Sequence, residues 1–282
     1  MDFIEGKRII ITGPTSGIGK EIAIGLSALG AEMVLGCRDI RLGEETKEEI
    51  MRRTGWKSIA VMHIDTSNQQ SVRDFARQYH RAYPRLDVLI NNAGLNRATR
   101  QTSVDGLELT FATNVLGYYL LTQELLNLLK SSAPARIVNV ASTFASDLDL
   151  DDLQFERRPY DGVKAYAQSK ACDRLLTWAF ARRLEKSGVA VNAMAPGLVP
   201  QTGLYRDTPE PMRLMLNQRG GRSAAEGADT AVWLASSREV EGVSGKFFEQ
   251  RREILCEFRN TEAEEKLWGI CERLVASAKS IK

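Results

Sequence analysis

The sequence predicts an α/β fold: a doubly wound parallel sheet of about seven strands in a three-layer α/β/α single domain. Short apolar, β-branched runs alternate with longer segments of helical periodicity almost from the first residue. Repeated strand–helix alternation calls for a parallel sheet covered on both faces, and right-handed crossovers make such a sheet Rossmann-like. No linker rich in Pro, Gly or Ser divides the 282 residues, and no internal repeat is visible.

In chain order, strands are expected at 8–12, 32–36, 58–63, 86–91, 136–141, 189–195 and 246–249. Helices are expected at 18–29, 41–53, 71–83, 107–130, 163–186 and 223–235. Two regions break this rhythm. Residues 143–162 are acidic, then basic, and too irregular for either element. Residues 196–222 are rich in Pro and Gly around a short apolar helix pattern at 211–217, and a loop that long in a compact domain is usually functional. It is expected to close over a bound substrate. Thr261-Glu262-Ala263-Glu264 reads as a capping box. It would open an amphipathic C-terminal helix with Leu267, Ile270, Cys271, Leu274 and Val275 along one stripe, packed on the same domain.

Composition narrows the function classes. Lys plus Arg number 38 and Asp plus Glu 36, a net charge of +2, so nucleic acid and anionic membrane are not expected partners. The four cysteines, Cys37, Cys172, Cys256 and Cys271, form no C-x-x-C pair and are expected to be free thiols. The only histidines, His63 and His80, lack metal-ligand spacing and are expected to be structural, so no metal site is expected. Acids occupy the N-terminus where a signal peptide wants bases, and no apolar run approaches a membrane span of about 20 residues. A cytoplasmic protein without a membrane anchor is the expectation.

The first predicted strand runs into Thr12-Gly13-Pro14-Thr15-Ser16-Gly17-Ile18-Gly19. Glycines there let the backbone approach a pyrophosphate at a helix N-terminus. A nucleotide P-loop is excluded, because five residues separate Gly13 from Gly19-Lys20 and Glu21 replaces the Ser or Thr that would hold magnesium. Gly36-Cys37-Arg38-Asp39 follows the second strand. An arginine there accommodates the 2′-phosphate of NADP, whereas an acid binds the ribose of NAD. Arg38 therefore favours NADP, unless Asp39 turns inward. Tyr166 and Lys170 stand four apart, on one helix face. Asn91-Asn92-Ala93-Gly94, Ser142 and Pro196-Gly197 all follow predicted strands, at the carboxyl edge where open α/β sheets bind ligands. Arg157-Arg158 reads as a solvated loop in preference to an anion site, and no G-x-S-x-G elbow supports a serine hydrolase.

TGPTSGIG, NNAG, a serine after VNVA, YAQSK and APG together resemble the short-chain dehydrogenase/reductase family, over about residues 7–250. The resemblance implies a catalytic tetrad of Asn114, Ser142, Tyr166 and Lys170. It implies an NADP(H) site drawn from Gly13, Ser16, Gly17, Ile18, Gly19, Arg38, Asp65, Thr66, Asn91, Ala93, Gly94, Tyr166, Lys170, Pro196 and Gly197. CRD after the second strand and the 24-residue interval from Ser142 to Tyr166 look most like retinol dehydrogenases and related carbonyl reductases. Thr202-Gly203-Leu204-Tyr205-Arg206 resembles a loop of protochlorophyllide reductases instead. Residues 1–250 would then be the NADP-binding catalytic domain and 251–282 a C-terminal extension carrying the amphipathic helix.

The implied reaction is NADPH-dependent interconversion of an apolar ketone or aldehyde with its alcohol. Tyr166 would be the general acid or base, its pKa lowered from about 10 by the Lys170 ammonium. Ser142 would polarise the substrate oxygen, Lys170 would also bind the nicotinamide ribose, and Asn114 would anchor a water of the proton relay. Reduction of a carbon–carbon double bond, or a cofactor-loaded regulator without turnover, are the alternatives. The expected partner is a small apolar carbonyl or alcohol substrate, and a homo-oligomer is left open.

Overall fold

The computed structural model describes residues 4–200, 202–205, 207, 214, 218 and 220–277. Its sheet has the order β3-β2-β1-β4-β5-β6-β7-β8. The strands are β1 (Arg8–Thr12), β2 (Glu32–Cys37), β3 (Ile59–His63), β4 (Val88–Asn91), β5 (Ala135–Val140), β6 (Val189–Ala195), β7 (Lys246–Glu249) and β8 (Arg252–Glu253). The first seven pair in parallel, as the alternating pattern predicts, and β8 runs antiparallel to β7. The order reverses between β1 and β4, so a crevice opens at their carboxyl ends.

The helices are α1 (Gly17–Ala28), α2 (Ile40–Thr54), α3 (Gln69–Ala82), α4 (Leu109–Phe111), α5 (Gly117–Ser131), α6 (Gly162–Arg183), α7 (Ala224–Ser236) and α8 (Thr261–Ser277). One face of the sheet buries Ile22, Leu26, Ile50, Ala231 and Leu234 from α1, α2 and α7. The other buries Phe75, Tyr79, Tyr119, Leu125, Leu175 and Phe180 from α3, α5 and α6. α8 lies on this second layer. Leu267 and Cys271 are fully buried, and Trp268 packs edge-on against both Tyr119 and Phe180.

The sequence carries no signal for one short strand, and two local expectations need correction. The eighth strand follows a turn at Gln250 and Arg251, whose φ values are +50° and +60°. Two-residue hairpins of that geometry normally use Asn or Gly, so the sequence carries no signal for it. Tertiary contacts hold the turn: Arg251 N donates to Thr230 Oγ1 at 3.1 Å and Nε to Asp229 Oδ2 at 2.8 Å. The helix expected at 107–130 is interrupted by a π-helical turn at Ala112–Leu116 between α4 and α5. The cap of α8 is Asn260, whose Oδ1 accepts from Ala263 N at 3.1 Å. Glu264, read as the capping acid, is buried and accepts from Arg182 Nη2 at 3.0 Å. The helix pattern at 211–217 lies outside the described residues except for Leu214.

All four cysteines are free thiols. His63 and His80 are exposed. Arg158 is more than a solvated charge, since Nη2 donates to Gln168 Oε1 at 2.7 Å and the guanidinium lies 4.2 Å over the Phe155 ring. Among the described residues no helix is long and apolar enough to cross a membrane.

Candidate active site

The crevice begins with the glycine-rich turn. Asn92 and Thr12 lock it: Asn92 Nδ2 donates to Thr12 O at 2.8 Å and Gly13 O at 3.1 Å. The main-chain N–H groups of Asn92 and Ala93 each donate to Thr12 Oγ1 at 3.0 Å. Gly13 has φ +67°, and a Cβ on it would lie 2.9 Å from Ala93 Cα; a Cβ on Gly19 would overlap Asn92 Nδ2 and Gly13 O. This cradle admits no side chain, which fits the close backbone approach a pyrophosphate requires. Ser16 begins α1 in an extended conformation and makes no capping bond with its side chain. Its exposed hydroxyl and the first N–H groups of α1, with Gly17 and Ile18, are therefore oriented to receive an anion.

Beyond the turn, Arg38 and Asp39 part company. Asp39 Oδ1 caps α2 by accepting from Leu42 N at 3.1 Å. Arg38 is exposed and makes no ion pair among the described residues. The acid thus holds the start of the helix, while the guanidinium beside it has no such partner among the described residues. Asp65 Oδ1 accepts from Ser67 N and Oγ, at 2.9 and 2.7 Å, and Thr66 is buried beside it. Asn91 ends β4, as expected, but its side chain turns inward. It is fully buried, and Nδ2 donates inward to Asn139 Oδ1 at 2.9 Å and Thr122 Oγ1 at 3.2 Å. Pro196 and Gly197 follow β6, where Pro196 O accepts from Arg222 Nη1 at 3.2 Å.

The second cluster gathers at the carboxyl end of β5. Ser142 Oγ accepts from Phe144 N at 3.0 Å, and the Ser142 carbonyl is held by Arg174. Tyr166, near the start of α6, lies alongside, and its ring stacks at 6.5 Å on Phe144, which is 53% exposed. The Tyr166 side chain is partly exposed. Burial first, and then the negative charge of Asp173, push its ionisation well above the usual tyrosine range, while the Ser142 hydroxyl pulls it down.

Lys170, expected to lower the tyrosine, lies one helical turn further along α6. Its buried ammonium donates to Val140 O at 2.9 Å and Asp173 Oδ2 at 2.8 Å, and stands 5.8 Å from the Tyr166 ring centroid. Burial opposes the lysine charge, but Asp173 and the Tyr118 phenol outweigh it, so the net shift is upward. Asp173 itself is pushed up to about 7, because desolvation exceeds the attraction of Lys170.

Asn114 sits within the π-helical turn, fully buried. Oδ1 accepts from Leu95 N at 2.9 Å; Nδ2 donates to Leu95 O at 3.0 Å and Ser169 Oγ at 2.9 Å. Its side chain joins the strand-four loop to α6 and is committed to protein partners. Four neighbours join the expected set: Asn92, Ser169, Asp173 and Arg174. Asn92 and Ser169 stand inside NNAG and YAQSK and were visible as motif members. Asp173 and Arg174 carried no signal beyond lying three and four residues after Lys170.

Fold and site together define a class, an oxidoreductase that binds a nicotinamide dinucleotide and works on alcohol or carbonyl groups. The chain belongs to the short-chain dehydrogenase/reductase family, whose short chain dehydrogenase model matches residues 7–212. It is retinol dehydrogenase-like. Human retinol dehydrogenase 14 is 38% identical, over 98% of this chain and 88% of its own length. An uncharacterised protein of Mycobacterium paratuberculosis superposes with TM-score 0.75 at 28% identity, covering 96% of this chain and 94% of that one. RhlG of Pseudomonas aeruginosa, solved as an NADP active-site complex, superposes with TM-score 0.70 at 26% identity, covering 86% of this chain and 94% of its own.

Proposed function

We propose that the protein is an NADP(H)-dependent oxidoreductase that interconverts an apolar ketone or aldehyde with its alcohol. The observation that carries this reading is the placement of the partly exposed Tyr166 phenol beside Ser142, one helical turn from the buried Lys170 ammonium. Bound NADPH supplies hydride to the carbonyl carbon. Tyr166, protonated at neutral pH, gives its proton to the substrate oxygen as negative charge develops there. Ser142 donates a second hydrogen bond to that oxygen. Asn114 acts through Ser169 and Leu95, fixing α6 against the strand-four loop. In oxidation the same phenol, once ionised, takes the alcohol proton.

Arg38 supports NADP over NAD. It is exposed and unpaired among the described residues, and Asp39 is occupied by its helix. Phe144 supports an apolar substrate, since its half-exposed ring lies parallel to Tyr166 where a flat hydrocarbon would slide in. Both the retinol dehydrogenase relatives and this aromatic wall favour placing retinoids on the test panel. NADPH and NADH oxidation should be followed with aliphatic, aromatic, steroid and retinoid carbonyls and with activated alkenes. Turnover of an apolar carbonyl with NADPH preferred is the expected result. NADPH binding with no turnover of any carbonyl would overturn it in favour of a regulator, and turnover confined to alkenes would reassign the reaction.

A further inference from the structure

α6 carries a second buried cation, one turn beyond Lys170. Arg174 is 5% exposed, and no carboxylate pairs with it among the described residues; the adjacent Asp173 is taken by Lys170 at 2.8 Å. Its Nη2 donates to the Ser142 carbonyl, its Nη1 lies 3.7 Å from Cys256 Sγ, and its enclosed Nε has no partner among the described residues. Two rings flank the guanidinium, Phe247 of β7 at 4.2 Å from its Cζ and Phe258 at 5.5 Å. A buried cation without a counter-ion is costly, and aromatic faces offset part of that cost. An apolar side chain would fill the same space without it. What the arginine adds is a planar fork of donors in fixed directions.

The fork reaches the chain where the sheet lets go of it. β5 ends at Val140, and beyond it the Ala141 N–H donates to Met194 O at 2.8 Å. Ser142 comes next and opens the irregular stretch 143–162. Its hydroxyl is engaged locally, accepting from Phe144 N at 3.0 Å, whereas its carbonyl is engaged from α6, by Arg174. Behind the arginine, the segment between β8 and α8 closes the space. Ile254 and Cys256 pack on a buried cluster that includes Ala141, Trp178 and Phe247, and Ile254 N donates to Phe247 O at 2.9 Å. Four segments of the chain thus meet at one guanidinium, and little of it reaches solvent.

We propose that Arg174 is a positioning residue of the active site, which ties the Ser142 carbonyl to α6 and so fixes the serine hydroxyl beside Tyr166, with the segment 254–258 as its back wall. The inference rests on Ser142 polarising the substrate oxygen. Serine and tyrosine then share one rigid support, since Arg174 stands about two turns along the helix that carries Tyr166. A donor stabilises developing charge only when its place is set in advance, and a misplacement of about 1 Å can cost about 10²-fold in rate.

Arg174→Met keeps the stem and removes the fork, and Arg174→Lys keeps the charge but not the paired donors. With a carbonyl that the wild type reduces, the Met variant should lose about 10–100-fold in kcat, with NADPH affinity unchanged and the Lys variant in between. Repeated on Ser142→Ala, the Met substitution should add little further, because residues that act as a unit are not additive. An equal fall in both backgrounds, or a wild-type kcat in folded Arg174→Met, overturns the proposal.

Amide exchange of the cofactor-free protein gives a reading that needs no turnover. In Arg174→Met the Phe144 N–H should exchange about three- to tenfold faster, the range that one hydrogen bond's net stabilisation spans, while the Ala141 N–H stays at its wild-type rate. Both speeding together would mark a general loosening, and neither changing would show that Ser142 keeps its place without the arginine; either result overturns the proposal. Where Arg174→Met does not fold, Arg174→Lys is read in the same way, with the same pattern expected in smaller measure. The two readings can fail separately. If Ser142→Ala turns over a panel carbonyl normally, the role of Ser142 fails. If Ser142→Ala is impaired while Arg174→Met leaves kcat and Phe144 exchange unchanged, only the inference about Arg174 fails.

Discussion

At the β1–β2 end of the carboxyl edge, a ligand would meet main-chain N–H groups, the Ser16 hydroxyl and one exposed guanidinium. At the β5–α6 end it would meet side chains held by other side chains. Ser142 is held through Arg174, Lys170 through Asp173, and α6 through the Asn114–Ser169 bond. The first region recognises by leaving space: a Cβ at Gly19 would overlap two neighbours. The second works by filling space, so its titrating groups lie out of water and respond to one another's charge. One end of the crevice therefore depends on backbone shape and the other on buried electrostatics.

The largest test of that contrast is Tyr166→Phe. Loss of the proton donor should lower kcat by about 10²–10⁴-fold, with NADPH affinity changed by less than about tenfold. Lys170→Ala should harm both terms. Steady-state kinetics with cofactor titration reads the difference, and near-normal kcat in Tyr166→Phe would remove the β5–α6 end from the chemistry.

Arg38→Leu probes the other end, where a charged hydrogen bond is worth about 1.5–3 kcal/mol. NADPH should bind roughly 10–100-fold more weakly while NADH binding stays put; equal loss for both cofactors would show that Arg38 does not read the 2′-phosphate. Gly19→Ala should cost about 1–3 kcal/mol of stability through overpacking and depress binding of both cofactors alike. A thermal melt and cofactor titrations matching the wild type would show that the turn tolerates a side chain and that the spatial argument is wrong. Smallest of all, Asn260→Ala should cost about 1 kcal/mol by uncapping α8, with the kinetics at both ends unchanged. A larger loss of activity would mean that α8 supports the site through Arg174 and its contacts with Cys256 and Phe258.

Much of the nucleotide end was legible because its demands are local. A tight turn needs glycine at Gly13 and Gly19 whatever lies elsewhere, and Arg38 follows a strand that its own residues announce. Even there, the fate of Asp39 waited on the helix that it caps. The β5–α6 end was legible only as motifs. Tyr166 and Lys170 could be placed on one helix face, but nothing in YAQSKACDR says that the lysine turns to Asp173, because that choice depends on Val140 and Tyr118 arriving from other elements. Asn91 shows the same limit. It stands in the expected motif, yet its amide is drawn inward by Thr122 and Asn139.

The sequence by itself determined the parallel α/β sheet, the order of its first seven strands along the chain, the glycine-rich turn after β1 and the apolar stripe of α8. Each follows from periodicity or from a backbone conformation that few residues can adopt. Only the tertiary structure decided the hairpin at Gln250 and Arg251, the π-helical turn that carries Asn114, the capping of α8 by Asn260, and the Lys170–Asp173 pair. In each case the deciding partner lies on another segment or competes with an equally good local choice. Those energies exist only once the chain has folded and excluded water around them.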